Sequence, residues 1–312
     1  MAVSGLSALV ICNPTAGRRR LRRLRLVLDR LRAAGVDIRL QATGARGDAE
    51  RLACDMAQAD LVVAAGGDGT INEVINGLMA ARAQGRLVPP LGIVPLGTAN
   101  VLAREIGLAS DPALIVAALL QGGELEFRPG RLRRGEATRH FAMMAGIGFD
   151  ADVVGRVDLR WKRLLGRAAY GLASAGRFLA YRPQLFRLGI DGVPYQAASV
   201  VVSRGRHYAG PFVAAPRASL AAPELHVCLF EQPGRAAVLR YGAALLRNAL
   251  PRSRAYRVVP ARQVEILGDE RQIVQADGDI VARLPLLLDV APQAIRLKVP
   301  LVPLSPTGRE PG

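Results

Sequence analysis

The sequence predicts an α/β domain followed by an all-β domain. Up to about residue 120, short apolar runs alternate with segments of helical periodicity, a pattern typical of a parallel, doubly wound sheet. After Gly122 the segments become short and β-like, with glycine and arginine between them, which is typical of an antiparallel sandwich or curled sheet. The chain has 312 residues, half of them hydrophobic, so it is long enough to build two domains with full cores.

Four apolar runs predict the strands of the first domain, and each is followed by a turn and a helical stretch. The predicted strands are residues 8–12, 36–40, 61–65 and 90–95. Leucines at helical spacing from Leu21 to Leu31 predict an amphipathic first helix that ends at Gly35. The later helices are predicted at residues 48–57, 71–79, 101–106 and 112–120. Strands that alternate with helices in this way lie parallel in one sheet.

Nine short segments after Gly122 predict β-strands. They are residues 125–128, 140–145, 184–190, 197–203, 225–230, 256–259, 263–267, 273–277 and 294–299. One helical insert, residues 159–181, interrupts them, and the Pro- and Gly-rich end from residue 303 is predicted to be loose. We therefore assign residues 1–128 to the α/β domain, 129–300 to the β-sandwich domain and 301–312 to a loose or returning tail.

The net charge of +16 comes almost wholly from arginine, because Lys162 and Lys298 are the only lysines. Such an excess predicts an anionic partner, which is either nucleotide phosphate, an anionic membrane surface or nucleic acid. Aromatic residues make up only 4% of the chain, which argues against the stacking platforms that bind single-stranded nucleic acid. We therefore expect no nucleic-acid partner.

The cysteines predict neither a disulfide framework nor a zinc site. Cys12, Cys54 and Cys228 are few, odd in number and far apart, which indicates a reducing cytoplasm. No basic segment precedes an apolar core near residue 1, so no signal peptide is expected. The uncharged stretch 87–103 is interrupted by three prolines and does not predict a membrane span, so any membrane contact is expected to be peripheral.

The turn at residues 65–73 organises the first domain. Its sequence Gly-Gly-Asp-Gly follows a strand directly, at the carboxyl end where open α/β sheets bind ligands. Glycines let the backbone approach a ligand, and the first N–H groups of the following helix suit a phosphate. Asp68 implies a cation or a ribose hydroxyl nearby. The alternative is a plain tight turn in which this aspartate caps a helix.

Three turns are expected to converge, because the loops after the first, third and fourth strands of a parallel sheet open on the same edge. They are residues 13–17, 66–72 and 96–100, each rich in Gly, Thr or Asn. Arginines at positions 18–20 follow the first turn at a helix N-terminus, where cations oppose the helix dipole unless an anion binds; a solvated charged face is the alternative. The chain lacks Gly-x-x-x-x-Gly-Lys-Ser/Thr, which excludes a P-loop NTPase, and lacks a dinucleotide-type G-x-G-x-x-G after the first strand.

Six motifs carry a resemblance to one family. They are NPTAGRRR (13–20), GGDGTINEVINGL (66–78), PLGTANVLAREIGL (95–108), AGIGFDADVV (145–154), AAPRASL (214–220) and VQADGDIV (274–281). Together they resemble the diacylglycerol kinase catalytic-domain family, which includes soluble bacterial lipid kinases and the sphingosine and ceramide kinases. The resemblance spans almost the whole chain. It implies a Rossmann-like nucleotide domain similar to those of NAD kinase and phosphofructokinase, a C-terminal β-sandwich domain on the lipid side, and an active site in the cleft between them.

The resemblance implies an ATP- and Mg²⁺-dependent lipid kinase of phospholipid biosynthesis, with diacylglycerol as the leading acceptor and a sphingoid base or ceramide left open. The nucleotide-binding positions that match the family are Asn13, Pro14, Thr15, Ala16, Gly17, Thr43, Gly66, Gly67, Asp68, Gly69, Thr70, Ile71, Asn72, Gly97 and Thr98. Asp279 matches the general base, Asp68 matches a position near the catalytic Mg²⁺, and Asp277 matches a position that helps to hold the metal or orients the loop. From the residues alone, Asp277-Gly278-Asp279 is more typical of a hairpin turn than of a catalytic motif.

The chain departs from the family at an accessory metal site. Many bacterial members carry a DDGLLD-like metal clamp where this chain has Ala-Ala-Pro-Glu-Leu-His at 221–226, and alanine side chains cannot bind Mg²⁺. We therefore expect the accessory Mg²⁺ site to be lost or rebuilt near Ser219, Glu224 and His226. Asp279 replaces the commoner glutamate, and Val101 stands where many members have aspartate, which leaves a weak kinase or a changed acceptor open.

The insert at 159–181 is the expected membrane-facing element, with an ordinary solvated helix as the alternative. It groups tryptophan with basic residues, namely Arg160, Trp161, Lys162, Arg163 and Arg167. We expect a cytoplasmic protein, peripherally associated with the inner face of the membrane, and we leave a homodimer open. Two alternative functions also stay open: an NAD kinase-like enzyme with a soluble acceptor, and a non-catalytic nucleotide or lipid sensor, which the altered metal clamp would suit.

Overall fold

The computed structural model describes residues 5–55, 59–149, 184–208 and 210–301. The chain divides into two compact units. The first comprises Met1–Arg128 together with Pro292–Gly312, and the second comprises Pro129–Ala291.

Six strands form the sheet of the first unit. They are β1 (Ser7–Cys12), β2 (Asp37–Ala42), β3 (Leu61–Gly66), β4 (Leu91–Pro95), β5 (Gly123–Phe127) and, from near the end of the chain, β20 (Ile295–Val299). Their spatial order is β2-β1-β3-β4-β20-β5, and the first four pair in parallel. The helices described in this unit are α1 (Arg18–Ala33), α2 (Asp48–Cys54), α3 (Asp68–Ala83), α4 (Val101–Glu105) and α5 (Pro112–Gln121).

The core of the first unit follows from its apolar periodicities. Strands β3 and β4 are buried at every residue, as parallel strands covered on both faces are. Helix α1 buries the stripe Leu24, Val27, Leu28 and Leu31 and exposes most of its arginines. That stripe packs with α5 and with alternate side chains of β1 and β3. The predicted doubly wound α/β architecture is confirmed.

Strand β20 comes from the part of the chain that the sequence analysis assigns to the second domain. Its residues join the sheet of the first unit, parallel to β4 and antiparallel to β5. Leu297 pairs with Leu91 of β4 and with Leu125 of β5, so β20 fills the position between these two strands. Apolar and basic residues alternate in the sequence of β20, and the side chains of 295–297 are alternately buried and exposed. This alternation predicts a strand, but it does not indicate which sheet the strand joins.

The second unit contains two six-stranded antiparallel sheets. Their strands are β6 (Gly130–Arg134), β7 (Ala137–Phe141), β8 (Met144–Ile147), β9 (Phe186–Ile190), β10 (Val193–Ala197), β11 (Ser199–Ser203), β14 (Leu225–Phe230), β15 (Tyr256–Ala261), β16 (Gln263–Leu267), β17 (Ile273–Ala276), β18 (Asp279–Arg283) and β19 (Leu286–Val290). One sheet has the order β10-β9-β16-β19-β6-β7, and the other has the order β15-β14-β11-β8-β17-β18. A short ribbon, β12 (His207–Tyr208) with β13 (Phe212–Val213), and helix α6 (Arg235–Leu246) accompany them.

The two sheets of the second unit enclose one apolar core. Leu132 and Leu288 come from the first of these sheets, and Val200, Val227 and Val274 come from the second. Inward-facing side chains from two sheets in one cluster are the mark of a β-sandwich. The predicted C-terminal β-sandwich is therefore confirmed.

Several predicted features lie outside the described residues. They are the insert at 159–181, the end of the AGIGFDADVV motif from residue 150, and the tail from residue 302. Among the helices that the structure does describe, none has the length and apolar character needed to span a bilayer.

Candidate functional site

The first turn lies at the carboxyl end of β1 and is shaped by an asparagine. Asn13 Oδ1 accepts hydrogen bonds from the Thr15 backbone N–H at 3.0 Å and from Thr15 Oγ1 at 2.7 Å. The Asn13 N–H donates to the Ala65 carbonyl at 3.1 Å, which ties this turn to the end of β3. The Thr43 N–H donates to the Cys12 carbonyl at 2.9 Å, so Thr43 also lies at this edge. Pro14, Thr15 and Gly17 are exposed there.

The second and third turns touch through two glycines. Helix α3 begins directly after Gly67, the N-cap residue, which makes no side-chain hydrogen bond to the helix. A Cβ atom added at Gly67 would lie 3.1 Å from Gly97 Cα, and one added at Gly97 would lie 2.6 Å from Gly67 Cα. Glycine at both positions therefore allows the turns to approach closely while the first N–H groups of α3 remain uncapped by side chains.

Asp68 joins the same two turns through its carboxylate. It accepts hydrogen bonds from the Asn100 N–H at 3.0 Å and the Val101 N–H at 2.6 Å, at the start of α4. Asn100 has a positive φ of 48°, and its side chain bonds both the N–H and the carbonyl of Gly97. Burial raises the pKa of Asp68, while the N–H donors of Val101 and Asn100 act in the opposite direction.

Arginines of α1 reach the third turn as well. Arg20 Nη2 donates to Thr98 Oγ1 at 3.3 Å, and Arg23 Nη1 donates to the Pro95 carbonyl at 3.0 Å. The first turn of α1 contains no acidic residue. The structure thus brings together the ends of β1, β3 and β4, as the parallel order predicts.

Not every residue matched to the family presents a side chain at this edge. Ile71 is 1% exposed and belongs to the core, and Thr70 and Asn72 are buried in α3. Asn76 Nδ2 donates to the Asn72 carbonyl and to its Oδ1, at 2.9 and 3.1 Å. A Cβ at Gly66 would lie 2.4 Å from Thr70 Cβ, so this glycine makes room for the threonine. These side chains therefore have roles in packing.

In the second unit, Asp277 and Gly278 form the hairpin turn between β17 and β18. Their φ angles are 48° and 89°, the positive values that a two-residue type I′ turn requires. Asp279 is the first residue of β18, pairs with Ala276 and is partly buried. The hairpin interpretation of Asp277-Gly278-Asp279 is therefore correct as to structure, and it leaves the chemistry of Asp279 open.

The Asp277 carboxylate supports the backbone around the start of β8. It accepts N–H groups from Ala142, Met143 and Met144, at 2.6, 2.9 and 3.0 Å. The Asp277 N–H donates in return to the Met144 carbonyl at 2.9 Å. Both carboxylate oxygens thus hold the hairpin against β8.

Sequence reasoning gave no role to two residues that prove structurally important. Glu73, inside the GGDGTINE motif, accepts the N–H groups of Gly47 and Ala49 at 3.0 and 3.2 Å and so fixes the start of α2. Arg204 is completely buried, and its guanidinium group contacts the loop at 220–224. A carboxylate inside a motif gave a hint for Glu73, but arginines are mostly exposed, so nothing in the sequence singled out Arg204.

The residues expected around an accessory metal do not converge as ligands. The Ser219 carbonyl accepts the Ala222 N–H at 3.1 Å, and His226 Nε2 lies 3.9 Å from Glu224 Oε1. His226 Nδ1 is buried and has no hydrogen-bond partner in the described part of the chain. Within residues 5–55, 59–149, 184–208 and 210–301, no three His, Cys, Asp or Glu side chains are grouped so as to hold a metal ion.

Comparison with known families identifies both units. Residues 7–132 match the diacylglycerol kinase catalytic domain, and residues 143–299 match the YegS C-terminal NAD kinase beta sandwich-like domain. The chain belongs to the diacylglycerol kinase and YegS-like lipid kinase family. The family that the sequence motifs resemble is therefore confirmed, as is the kinase class of the enzyme.

Two curated relatives cover most of this lipid kinase. The diacylglycerol kinase of Bacillus subtilis strain 168 is 30% identical over 283 residues, which span 89% of this chain and 91% of the relative. A probable lipid kinase YegS-like from Pseudomonas aeruginosa strain PAO1 is 32% identical and covers 90% of each chain. The crystal structure of a diacylglycerol kinase from Bacillus anthracis strain Sterne has a TM-score of 0.71 at 23% identity, with 94% of this chain covered and 96% of that one. This structural likeness supports the fold.

Proposed function

We propose that this lipid kinase transfers the γ-phosphate of ATP to the hydroxyl group of diacylglycerol, which yields phosphatidic acid. The observation that carries the proposal is the joining of two phosphate-suited turns by Asp68, in a chain with the kinase domain of this family. Relatives named diacylglycerol kinase support this acceptor over other lipids.

The nucleotide phosphates are proposed to bind at the edge formed by β1, β3 and β4. Gly67 and Gly97 lie in contact and have no side chains, so their backbone can approach the phosphates of a bound nucleotide. The uncapped N–H groups at the start of α3 suit phosphate oxygens. Arg20 and Thr98 lie at the same edge and supply further donors. The proposed contacts come from the turn at 13–17, Thr43, the turn at 66–72, Gly97 and Thr98.

The residues present fit a divalent ion that ATP brings with it. Mg²⁺ bound to phosphates needs only one or two protein carboxylates, and a carboxylate has about four lone-pair sites. The Asp68 carboxylate accepts hydrogen bonds from the N–H groups of Asn100 and Val101, and burial of its negative charge favours a cation nearby. We propose Asp68 and Asp277 as the residues that would hold this ion, which neutralises phosphate charge when bound.

Asp279 is proposed as the general base. It follows a type I′ turn whose first residue accepts three hydrogen bonds from the N–H groups of residues 142–144, at the start of β8, so its backbone position is well defined. In the proposed reaction its carboxylate accepts the proton of the lipid hydroxyl while that oxygen forms a bond to the γ-phosphorus. The bond from the γ-phosphorus to the bridging oxygen breaks, and ADP leaves.

A peripheral contact with the inner face of the membrane is proposed from chemistry alone. A diacylglycerol acceptor resides in the bilayer, and the net charge of +16 favours an anionic surface. The basic insert at 159–181 is our proposed contact, and it lies outside the described residues.

The test is transfer of labelled γ-phosphate from ATP to a panel of lipids and soluble acceptors in mixed micelles. Label in phosphatidic acid that falls roughly 10²- to 10⁴-fold in Asp279→Ala would support the proposal. Asp269→Ala, at an exposed turn of the same unit, is the matched control and should keep its activity. Label only in a soluble acceptor would favour an NAD kinase-like enzyme, and ATP binding without any turnover would favour the sensor.

A further inference from the structure

Arg204 is the largest side chain that the described residues bury completely. It directly follows β11 and is 0% exposed. A buried guanidinium group is costly unless its donors are satisfied, so its partners reveal what it does.

The guanidinium group binds carbonyl oxygens of one loop. Its Nη2 donates to the carbonyls of Leu220 and Ala222, both at 2.9 Å, and its Nη1 donates to the carbonyl of Glu224. Alternate carbonyls of five consecutive residues therefore point at one positive charge. Loops present carbonyl oxygens to a bound metal cation in the same way.

This loop overlaps residues 221–226, the stretch that resembles the family's metal clamp but lacks its aspartates. We propose that Arg204 is the resident cation of this loop and that no divalent metal binds there. The guanidinium group thus takes the structural role of an accessory ion. The inference concerns the loop alone and does not depend on which lipid the kinase phosphorylates.

The surroundings of Arg204 disfavour a second cation. The Glu224 side chain is 44% exposed and stands 3.9 Å from His226 Nε2, so it does not close a metal shell with the histidine. The loop at 220–224 already binds one buried guanidinium group through its carbonyls, and its side chains do not form a set of metal ligands.

Arg204 also connects this loop to the hairpin of Asp277 and Asp279. The Arg204 N–H donates to the Met143 carbonyl at 2.8 Å, and the Met143 N–H donates to Asp277 Oδ1 at 2.9 Å. Met143 is thus hydrogen-bonded both to Arg204, which holds the loop at 220–224, and to Asp277 of the hairpin.

The first experiment titrates nucleotide-free wild-type protein with Mg²⁺ and Mn²⁺ in a calorimeter and follows thermal unfolding with each ion and with EDTA. We expect no stoichiometric binding and no shift of the unfolding temperature. Stoichiometric binding that raises the unfolding temperature would overturn the proposal.

The second experiment removes the cation. Arg204→Ala should lower the unfolding temperature by roughly 5 to 10 °C, and low concentrations of guanidinium chloride should restore part of that loss. Arg217→Ala, an exposed arginine of the same loop, is the matched control and should show neither effect. An Arg204→Ala protein as stable as the wild type, or one that guanidinium only destabilises, would overturn the proposal.

A third variant covers the case in which Arg204→Ala does not fold. Arg204→Ala combined with Ala222→Asp supplies the carboxylate that the clamp lacks and should fold with a Mg²⁺-dependent unfolding temperature. If this double variant is recovered and stays indifferent to Mg²⁺, the loop is no cation site and the proposal is wrong. If neither variant folds, the metal titration of the wild-type protein decides.

Discussion

The Asp68 carboxylate accepts the backbone N–H of Val101 at 2.6 Å, so the aspartate of one turn caps the helix that follows another. The contact uses only the backbone of Val101. The bond explains why a glycine turn that suits an anion contains a carboxylate: Asp68 has a structural role here whatever ligand binds.

Asp68→Ala is expected to destabilise the protein by about 1 to 3 kcal/mol, because two N–H groups lose their acceptor. Asp68→Asn keeps one acceptor oxygen and should recover part of that stability, but not Mg²⁺-dependent ATP binding, since the charge is gone. Denaturant unfolding and ATP titration with and without Mg²⁺ measure the two effects. Asp37→Asn, an exposed aspartate of β2, is the control. Undiminished Mg²⁺-dependent ATP binding by Asp68→Asn would remove Asp68 from the proposed metal site.

Gly97→Ala should weaken ATP binding by about tenfold or more. The added Cβ would lie 2.6 Å from both Gly67 Cα and Asn100 Oδ1, so the two turns must move apart. Gly44→Ala, whose Cβ would meet only Asp48 Oδ2 at an ordinary 3.6 Å, is the matched control for the same edge. ATP titration that finds both variants alike would show that the close contact of the turns is not needed for the nucleotide.

Asp277 and Asp191 offer a matched pair that separates structure from catalysis. Asp191 has a φ of 48° in the β9–β10 hairpin, and its carboxylate accepts the N–H groups of Arg262 and Gln263, at 2.8 to 3.2 Å. Both Asp→Asn variants should therefore lose about 1 to 3 kcal/mol of stability.

Activity should distinguish the two, because only Asp277 is proposed to hold the metal. At saturating substrate and a temperature where both variants are folded, Asp277→Asn should require more Mg²⁺ and Asp191→Asn should not. If both variants need the same Mg²⁺ concentration for activity, Asp277 stabilises the hairpin and does not hold the metal.

Gly77→Ala should destabilise the first unit by about 1 to 3 kcal/mol. Its Cβ would lie 2.1 Å from the Glu50 carbonyl oxygen, at the contact of α2 with α3. Gly242→Ala, a helical glycine of α6 with open space around it, should instead gain roughly 0.5 to 1 kcal/mol. Urea unfolding measures both changes, and a neutral Gly77→Ala would contradict the described packing of the two helices.

Stability should decline between pH 6.5 and about pH 4 in a way that depends on His140. Burial and the nearby Arg131 and Arg139 lower the pKa of His140 from 6.5 to about 4. In this range the unfolded chain binds a proton that the folded chain does not, so the free energy of unfolding falls with falling pH. Between pH 7 and pH 5, the free energy of unfolding should fall less in His140→Gln than in the wild type. Between pH 8 and pH 7 it should stay constant in both proteins. Parallel curves of unfolding free energy against pH would contradict the lowered pKa.

The parallel α/β architecture of the first unit and the convergence of its turns were predictable from sequence, because parallel strands impose a common edge for Asn13, Asp68 and Thr98. The sheet that Ile295–Val299 joins was not, since pairing partners distant in sequence leave no local signal. Arg204 was missed for a related reason. Its partners are backbone carbonyls, which every residue has, and no side-chain pattern marks them.

The central claim is that the enzyme phosphorylates a lipid and uses Asp279 to do so. The most direct measurement is the ratio of phosphatidic acid to ADP formed from ATP and diacylglycerol micelles, followed by mass spectrometry for wild type and Asp279→Ala. The account predicts one phosphatidic acid for each ADP in the wild type and near-complete loss of both in the variant. ADP formation without phosphatidic acid, or undiminished turnover by Asp279→Ala, would contradict it.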